Sequence, residues 1–352
     1  TPTISFRDLV IQQRENDLIG ASFGRGFFVF DDYSVLREIT PEILKEEATL
    51  FSTRKAWLYE PRTVLGDNSA DHYSANNPEY GAVFTYYLAK DYPSLKKNRQ
   101  KAEKQLTKEG KDIPFPGWEA IEKEEKQSAV VIWFTVKDTN GNVIRKIKTP
   151  AKKGINRLAW DLSYANNRAI NPNREERPNR WNRSGASVLP GTYLVSMAKE
   201  VDGVVTDLAK PVSFEVVALR EGTLKGATAE EYKEFMVALN TLRADYAKVS
   251  NAMQINIKHV KAMKLALERA TIAPGALNEK IHNLYDEVLK LDELENGLAS
   301  KNEVGENNNP GISSFLRVAS RGVGTSYGPT KMYKDNLKTA QILLEKLELK
   351  VN

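Results

Sequence analysis

The sequence predicts a multidomain chain of mixed β and α structure, built of strands as far as Leu219 and of helices beyond it. Two observations carry this. Short apolar runs with period-two alternation recur through the first 219 residues, punctuated by Gly, Pro, Asn and Asp. After Leu219 the apolar residues recur instead at a spacing near 3.6. With 352 residues the chain is long enough for two or three cores. The divisions expected are 1–40, then 41–219 with a charged insertion at 90–127, then 220–352.

In the first division, Leu9–Ile11 and Leu18–Ala21 read as short strands around a polar turn. A third run, Phe27–Phe30, is entered through Gly24, Arg25 and Gly26. Two or three strands are marginal by themselves in water, so this segment is expected to complete a sheet supplied from elsewhere.

In the second division, Thr40 and Pro41 mark a short helical turn to Glu47, followed by strands at Lys55–Tyr59 and Gly81–Ala89. On the latter, Ala82, Phe84, Tyr86 and Leu88 share a face. The loop between them holds Asp67, Asp71 and His72, whose spacing matches no metal-ligand pattern and suits local polar turns. The insertion at 90–127 joins a charged helix to the turn Ile113–Trp118. There Phe115 and Trp118 either anchor a sugar or a protein, or pin the insertion to its own domain. From Ala129 to Leu219 the chain reads as all β. Val130, Ile132, Phe134 and Val136 alternate, Asn140-Gly141 marks a tight hairpin, and Asp202-Gly203 marks a second. Trp160 and Tyr193 read as core residues of a β-sandwich. The long basic loop 165–187 carries Trp181, which either docks a partner or glycan or covers a sheet edge.

In the third division Thr228 and Glu231 form a capping box, opening a helix to about Ala270. Its stripe (Phe235, Leu239, Leu242, Tyr246, Val249, Met253, Ile257, Val260) demands a partner surface. Helices starting near Leu277 and Pro329 can supply it as an antiparallel bundle, and Ile312–Val318 adds an optional short element. An intermolecular coiled coil is the alternative.

Composition narrows the function classes. The 51 basic and 46 acidic residues are interspersed, which argues against nucleic acid as a partner. There is no cysteine, hence no disulfide or thiol chemistry, and no apolar run of transmembrane length. His72, His259 and His282 are far apart in sequence, no glycine-rich phosphate loop precedes a helix, and no carboxylate pair is nominated for glycoside hydrolysis. The sequence therefore nominates no catalytic residue, metal or cofactor.

Several segments carry a resemblance. Phe23-Gly24-Arg25-Gly26-Phe27 followed by Asp31-Asp32 resembles the end of the last blade in sortilin-like BNR/Asp-box β-propellers of secreted bacterial proteins, often described as glycosyl hydrolases. Phe23 stands where that pattern has histidine. Asn76–Leu88, Gly154–Leu162 and Val188–Met197 resemble landmarks of the region after the propeller. The strand pattern of 129–219 is similar to the immunoglobulin-like fold of flagellar hook-capping proteins. The resemblance implies the end of a propeller blade, an immunoglobulin-like sandwich and a helical tail, in a secreted or cell-envelope protein. It also implies a non-catalytic structural or interaction portion that pairs with the propeller-containing remainder or with another chain. The alternative is an accessory or carbohydrate-binding part of a glycoside hydrolase, with Arg25, Trp118 and Trp181 as partner or glycan contacts.

Overall fold

The structure is a computed structural model, and it describes residues 3–61, 77–166, 184–220, 225–325 and 327–351. The chain is a mixed α/β protein with several sheets and, among the described residues, seven α-helices. It divides into two compact units, Thr1–Ser163 with Val188–Leu219, and Tyr164–Ser187 with Arg220–Asn352.

The first unit opens with β1 (Phe6–Gln12), β2 (Asp17–Ser22) and β3 (Phe27–Phe30), an antiparallel sheet in the order β1-β2-β3. Then come β4 (Ala48–Leu50), β5 (Ala56–Leu58) and β6 (Ala82–Leu88). The helices α1 (Leu95–Lys108) and α2 (Trp118–Lys126) form the insertion. After it run β7 (Val131–Asp138), β8 (Val143–Pro150) and β9 (Gly154–Trp160). β10 (Ser163–Ala165) and β11 (Ser184–Ser187) pair in a short ladder that, but for Ser163, belongs to the second unit, and the first unit resumes with the long hairpin of β12 (Gly191–Val201) and β13 (Val204–Ala218).

A five-stranded sheet in the order β5-β13-β12-β7-β8 and a three-stranded sheet in the order β4-β6-β9 share one aromatic core. Period-two alternation decides who enters it. From β6 come Phe84 and Tyr86, from β9 Trp160; facing them are Phe134, Tyr193 and Phe214 of the larger sheet. Phe84 stacks on Phe134 at 6.0 Å, and Trp160 meets Tyr193 edge to face at 5.6 Å. Burial of each such ring stabilises the unit by about 1.5–3 kcal/mol. The indole of Trp160 donates to the Ser163 carbonyl at 2.9 Å, so its one polar group is satisfied in the core. Gly81 has φ +112°, and a Cβ there would lie 1.8 Å from the Trp160 carbonyl oxygen, so β6 can begin beside β9 only with glycine at this position.

The second unit is built on α3 (Ala229–Glu268), α4 (Leu277–Asn296), α5 (Ala299–Val304), α6 (Ile312–Ser320) and α7 (Lys331–Val351). Thr228 and Glu231 make the reciprocal capping box at the start of α3. Seven residues of the α3 stripe join the helical core and the eighth, Val260, is buried apart from it, so the seam is covered within the chain. α6 is integral to that core: Ile312 and Ala319 are wholly buried and Leu316 nearly so, against Leu337, Ala340 and Leu344 of α7. On α4 the C-terminal half contributes to that core, through Leu291 and Leu294; Val288 is buried apart from it, while Leu277 and Leu284 are exposed.

Candidate functional site

The sheet β1-β2-β3 is the most unusual surface of the first unit. Every residue of β3 is exposed, with Phe27 at 76%, and on β1 Leu9, Val10 and Ile11 are exposed as well. Polar contacts hold the sheet at one end. Glu15, in the β1–β2 turn, accepts from Arg54 at 3.2 Å and from the Trp57 indole at 3.3 Å. Past β3, the guanidinium of Arg157 donates to the carbonyls of Asp31 at 2.9 Å and Asp32 at 2.7 Å. Asp32 takes φ +44°, and its carboxylate accepts from the Ser34 hydroxyl at 2.5 Å, with Arg54 3.8 Å away. Asp31 and Asp32 therefore close a turn by backbone and side-chain hydrogen bonds. Both β1 and β3 keep one unpaired edge among the described residues. β3 itself reads Phe-Phe-Val-Phe, with neither charge nor proline to deter pairing.

Where this sheet's last strand ends lies a cavity of about 350 Å³, lined by Phe30, Asp32, Val35, Leu36, Thr85, Ile155 and Arg157. Its walls are mostly apolar; of its charged groups, the Arg157 guanidinium is engaged by two backbone carbonyls and the Asp32 carboxylate by the Ser34 hydroxyl.

Arg25 is exposed between Gly24 (φ +72°) and Gly26 (φ +77°), and makes no hydrogen bond or ion pair among the described residues. Trp118 lies in a different part of the unit, as the first residue of α2 after Gly117 (φ +87°). It is 74% exposed and meets Phe115, itself 60% exposed, edge to face at 5.1 Å. The aromatic turn packs on itself and leaves both rings open to solvent. Trp181 falls outside the described residues, as do Asp67, Asp71 and His72. Among the described residues no three His, Asp or Glu side chains converge as metal ligands, and no helix is long and apolar enough to cross a membrane.

Two polar clusters escaped the sequence reading because their members are distant in the chain. Glu47 accepts from Lys199 at 2.6 Å and from the Tyr92 hydroxyl at 3.0 Å. Those bonds, that of Lys199 first, hold the Glu47 carboxyl below its ordinary value of 4.5 and raise Lys199 above 10.5. In the second unit Glu295 is 2% exposed and accepts at Oε1 from Tyr246 at 2.8 Å and Ser250 at 2.5 Å. Burial, together with the Glu295 charge, pushes the Tyr246 phenol above its usual range. Tyr246 and Ser250, four apart on α3, share one helix face, and the carboxylate they meet lies 45 or more residues away in sequence.

No family model matches the chain, and no curated protein matches it.

Proposed function

We propose that this chain is a non-catalytic structural and interaction portion of a secreted or cell-envelope β-propeller protein of the sortilin-like BNR/Asp-box type. In this reading β1, β2 and β3 are the end of a propeller blade. The two sheets behind them are an immunoglobulin-like sandwich, and the helices are an antiparallel bundle. The partner is the propeller-containing remainder of the protein or another chain that pairs with the strands.

The observation that carries the reading is the bare sheet. Three strands expose Leu9, Val10, Ile11, Phe27, Val29 and Phe30 and keep two unpaired edges, a surface that water does not stabilise. Adding a strand would satisfy an edge and cover the apolar side chains together. The immunoglobulin-like assignment is supported by the Tyr193 hydroxyl, which donates to the Leu189 carbonyl four residues upstream at 2.7 Å, as in a tyrosine corner, beside a buried tryptophan.

The test is native mass spectrometry of the protein isolated from its source, combined with peptide sequencing and hydrogen exchange. The expected result is a complex with a polypeptide that carries propeller repeats, and slowed exchange across residues 9–30. Val29→Lys on the exposed strand should abolish the complex and leave the melting temperature of the free chain unchanged. A chain that runs alone, or a complex that ignores Val29→Lys, overturns the reading.

A further inference from the structure

The insertion between β6 and β7 contributes no buried residue from either helix, so its sequence is not explained by the fold. Its charge is polarised. α1 carries six basic residues (Lys96, Lys97, Arg99, Lys101, Lys104, Lys108) against the single acid Glu103, a net of +5 over 14 residues. Arg99 is consumed internally: it binds Glu103 at 2.6 Å and both oxygens of Glu124 at 2.7 and 2.9 Å, locking α1 to α2. Lys97, Lys101, Lys104 and Lys108 follow the 3–4 spacing of one helix face, and all are exposed. None makes an ion pair among the described residues. That face is about 16 Å long at 1.5 Å per residue.

At the end of this stripe stands the apolar turn. Ile113, Phe115 and Trp118 are each at least half exposed, and between Ile113 and Trp118 the chain offers only Pro, Phe, Pro and Gly. A sugar site needs donors and acceptors aimed at hydroxyls, and this turn has no polar side chain to aim. An apolar wedge tipped with an aromatic pair and trailed by unpaired lysines has instead the composition that settles at a bilayer interface.

We propose that the α1–α2 hairpin docks on an anionic lipid surface, with Ile113, Phe115 and Trp118 entering the headgroup boundary and the lysine face of α1 lying over the phosphates. The acids of α2 (Glu119, Glu122, Glu124, Glu125) make the contact one-sided, with α1 facing the lipid. This goes beyond the strand-pairing reading, since it uses a different part of the molecule and survives its failure.

The test is flotation of the full chain with vesicles of phosphatidylcholine alone and of phosphatidylcholine mixed with phosphatidylglycerol, at low and high salt. Binding is expected only to the anionic vesicles and should weaken with salt, with each lysine strengthening it by about fivefold. Lys101→Glu with Lys104→Glu should remove most of it, and Phe115→Ala with Trp118→Ala should remove it while leaving the melting curve unchanged. In vesicles with brominated acyl chains, part of the tryptophan fluorescence should be quenched in the native chain and not in Trp118→Phe. No flotation, equal flotation with neutral vesicles, or binding to soluble alginate without flotation overturns the proposal; the last result would assign the hairpin to acidic glycans.

Discussion

Arg157 on β9 donates to the main-chain carbonyl of Asp32 at 2.7 Å, across 125 residues of sequence, and with its other terminal nitrogen to that of Asp31. One guanidinium thus fastens the exit of the β1-β2-β3 sheet to the three-stranded sheet behind it, while the faces of the small sheet stay bare. Only a planar fork matches two adjacent carbonyls, so lysine should not replace it. Arg157→Ala and Arg157→Lys should both speed amide exchange across β2 and β3 by about fivefold, as loss of a hydrogen bond worth roughly 1 kcal/mol implies. Global unfolding should move little. Exchange rates equal to those of the unaltered chain would show that Arg54 and Trp57 hold the sheet without Arg157.

A second prediction concerns α6, which the sequence reading treats as optional. Its first residue, Ile312, is wholly buried among residues of α3 and α7. Ile312→Ala should cost about 2–5 kcal/mol by denaturant unfolding, the usual range for a core truncation that leaves a cavity. A loss below about 1 kcal/mol would mean that α6 is peripheral to the helical core.

These residues show what periodicity can and cannot reveal. The α3 stripe is legible because a 40-residue helix repeats its signal many times, whereas nine residues of α6 give too few periods to mark a core face. Turn chemistry is legible as location more than as conformation. Asn140-Gly141 does turn a hairpin, but only Gly141 takes positive φ. The Asp138 carboxylate accepts from the amides of Asn140 and Asn142, and the register slips at Val136/Lys137, which makes a longer bulged turn. The two-residue form with both φ values positive occurs instead at Asp202-Gly203. The exposure of Trp118 and Phe115 was illegible, because an aromatic residue reads alike whether it pins a loop or projects from it. The clamps on Glu15 and Asp32 depend on Arg54, Trp57 and Arg157, whose distance in sequence hides them.

A third prediction follows from the buried carboxylate of the helical unit. Glu295 takes both of its hydrogen bonds at Oε1, and Oε2 is buried with no hydrogen-bond partner among the described residues. Removing a donor leaves the carboxylate still worse compensated, so Tyr246→Phe should cost about 1–3 kcal/mol. Replacing the acid together with the phenol, as Glu295→Leu with Tyr246→Phe, should cost less than the sum of the single changes, since no unpaired charge is left behind. Chemical denaturation of the four species measures the coupling; strictly additive costs would mean that the two side chains do not depend on each other.

The Glu47–Lys199 pair gives a prediction about pH. Glu47 immediately precedes β4 and Lys199 lies on β12, so their 2.6 Å bond links the β4-β6-β9 sheet to the five-stranded sheet of the first unit. Glu47 has a folded pKa below its ordinary value, so its contribution is present above about pH 4.5 and fades as pH falls through the lower folded value. Lys199 has a folded pKa above 10.5, so its contribution is present below that value and fades as pH rises through the folded one. Glu47 is well exposed, and solvent and salt keep the effect small. A direct readout is carbon-detected NMR titration of the Glu47 carboxyl. Lys199→Met should return its midpoint towards 4.5, and Tyr92→Phe should do so to a lesser degree because the hydroxyl is the second contributor. The melting temperatures of the native chain and Lys199→Met should differ by a constant amount at neutral pH and converge in acid. A Glu47 midpoint that ignores Lys199→Met would show that the pair does not persist in solution.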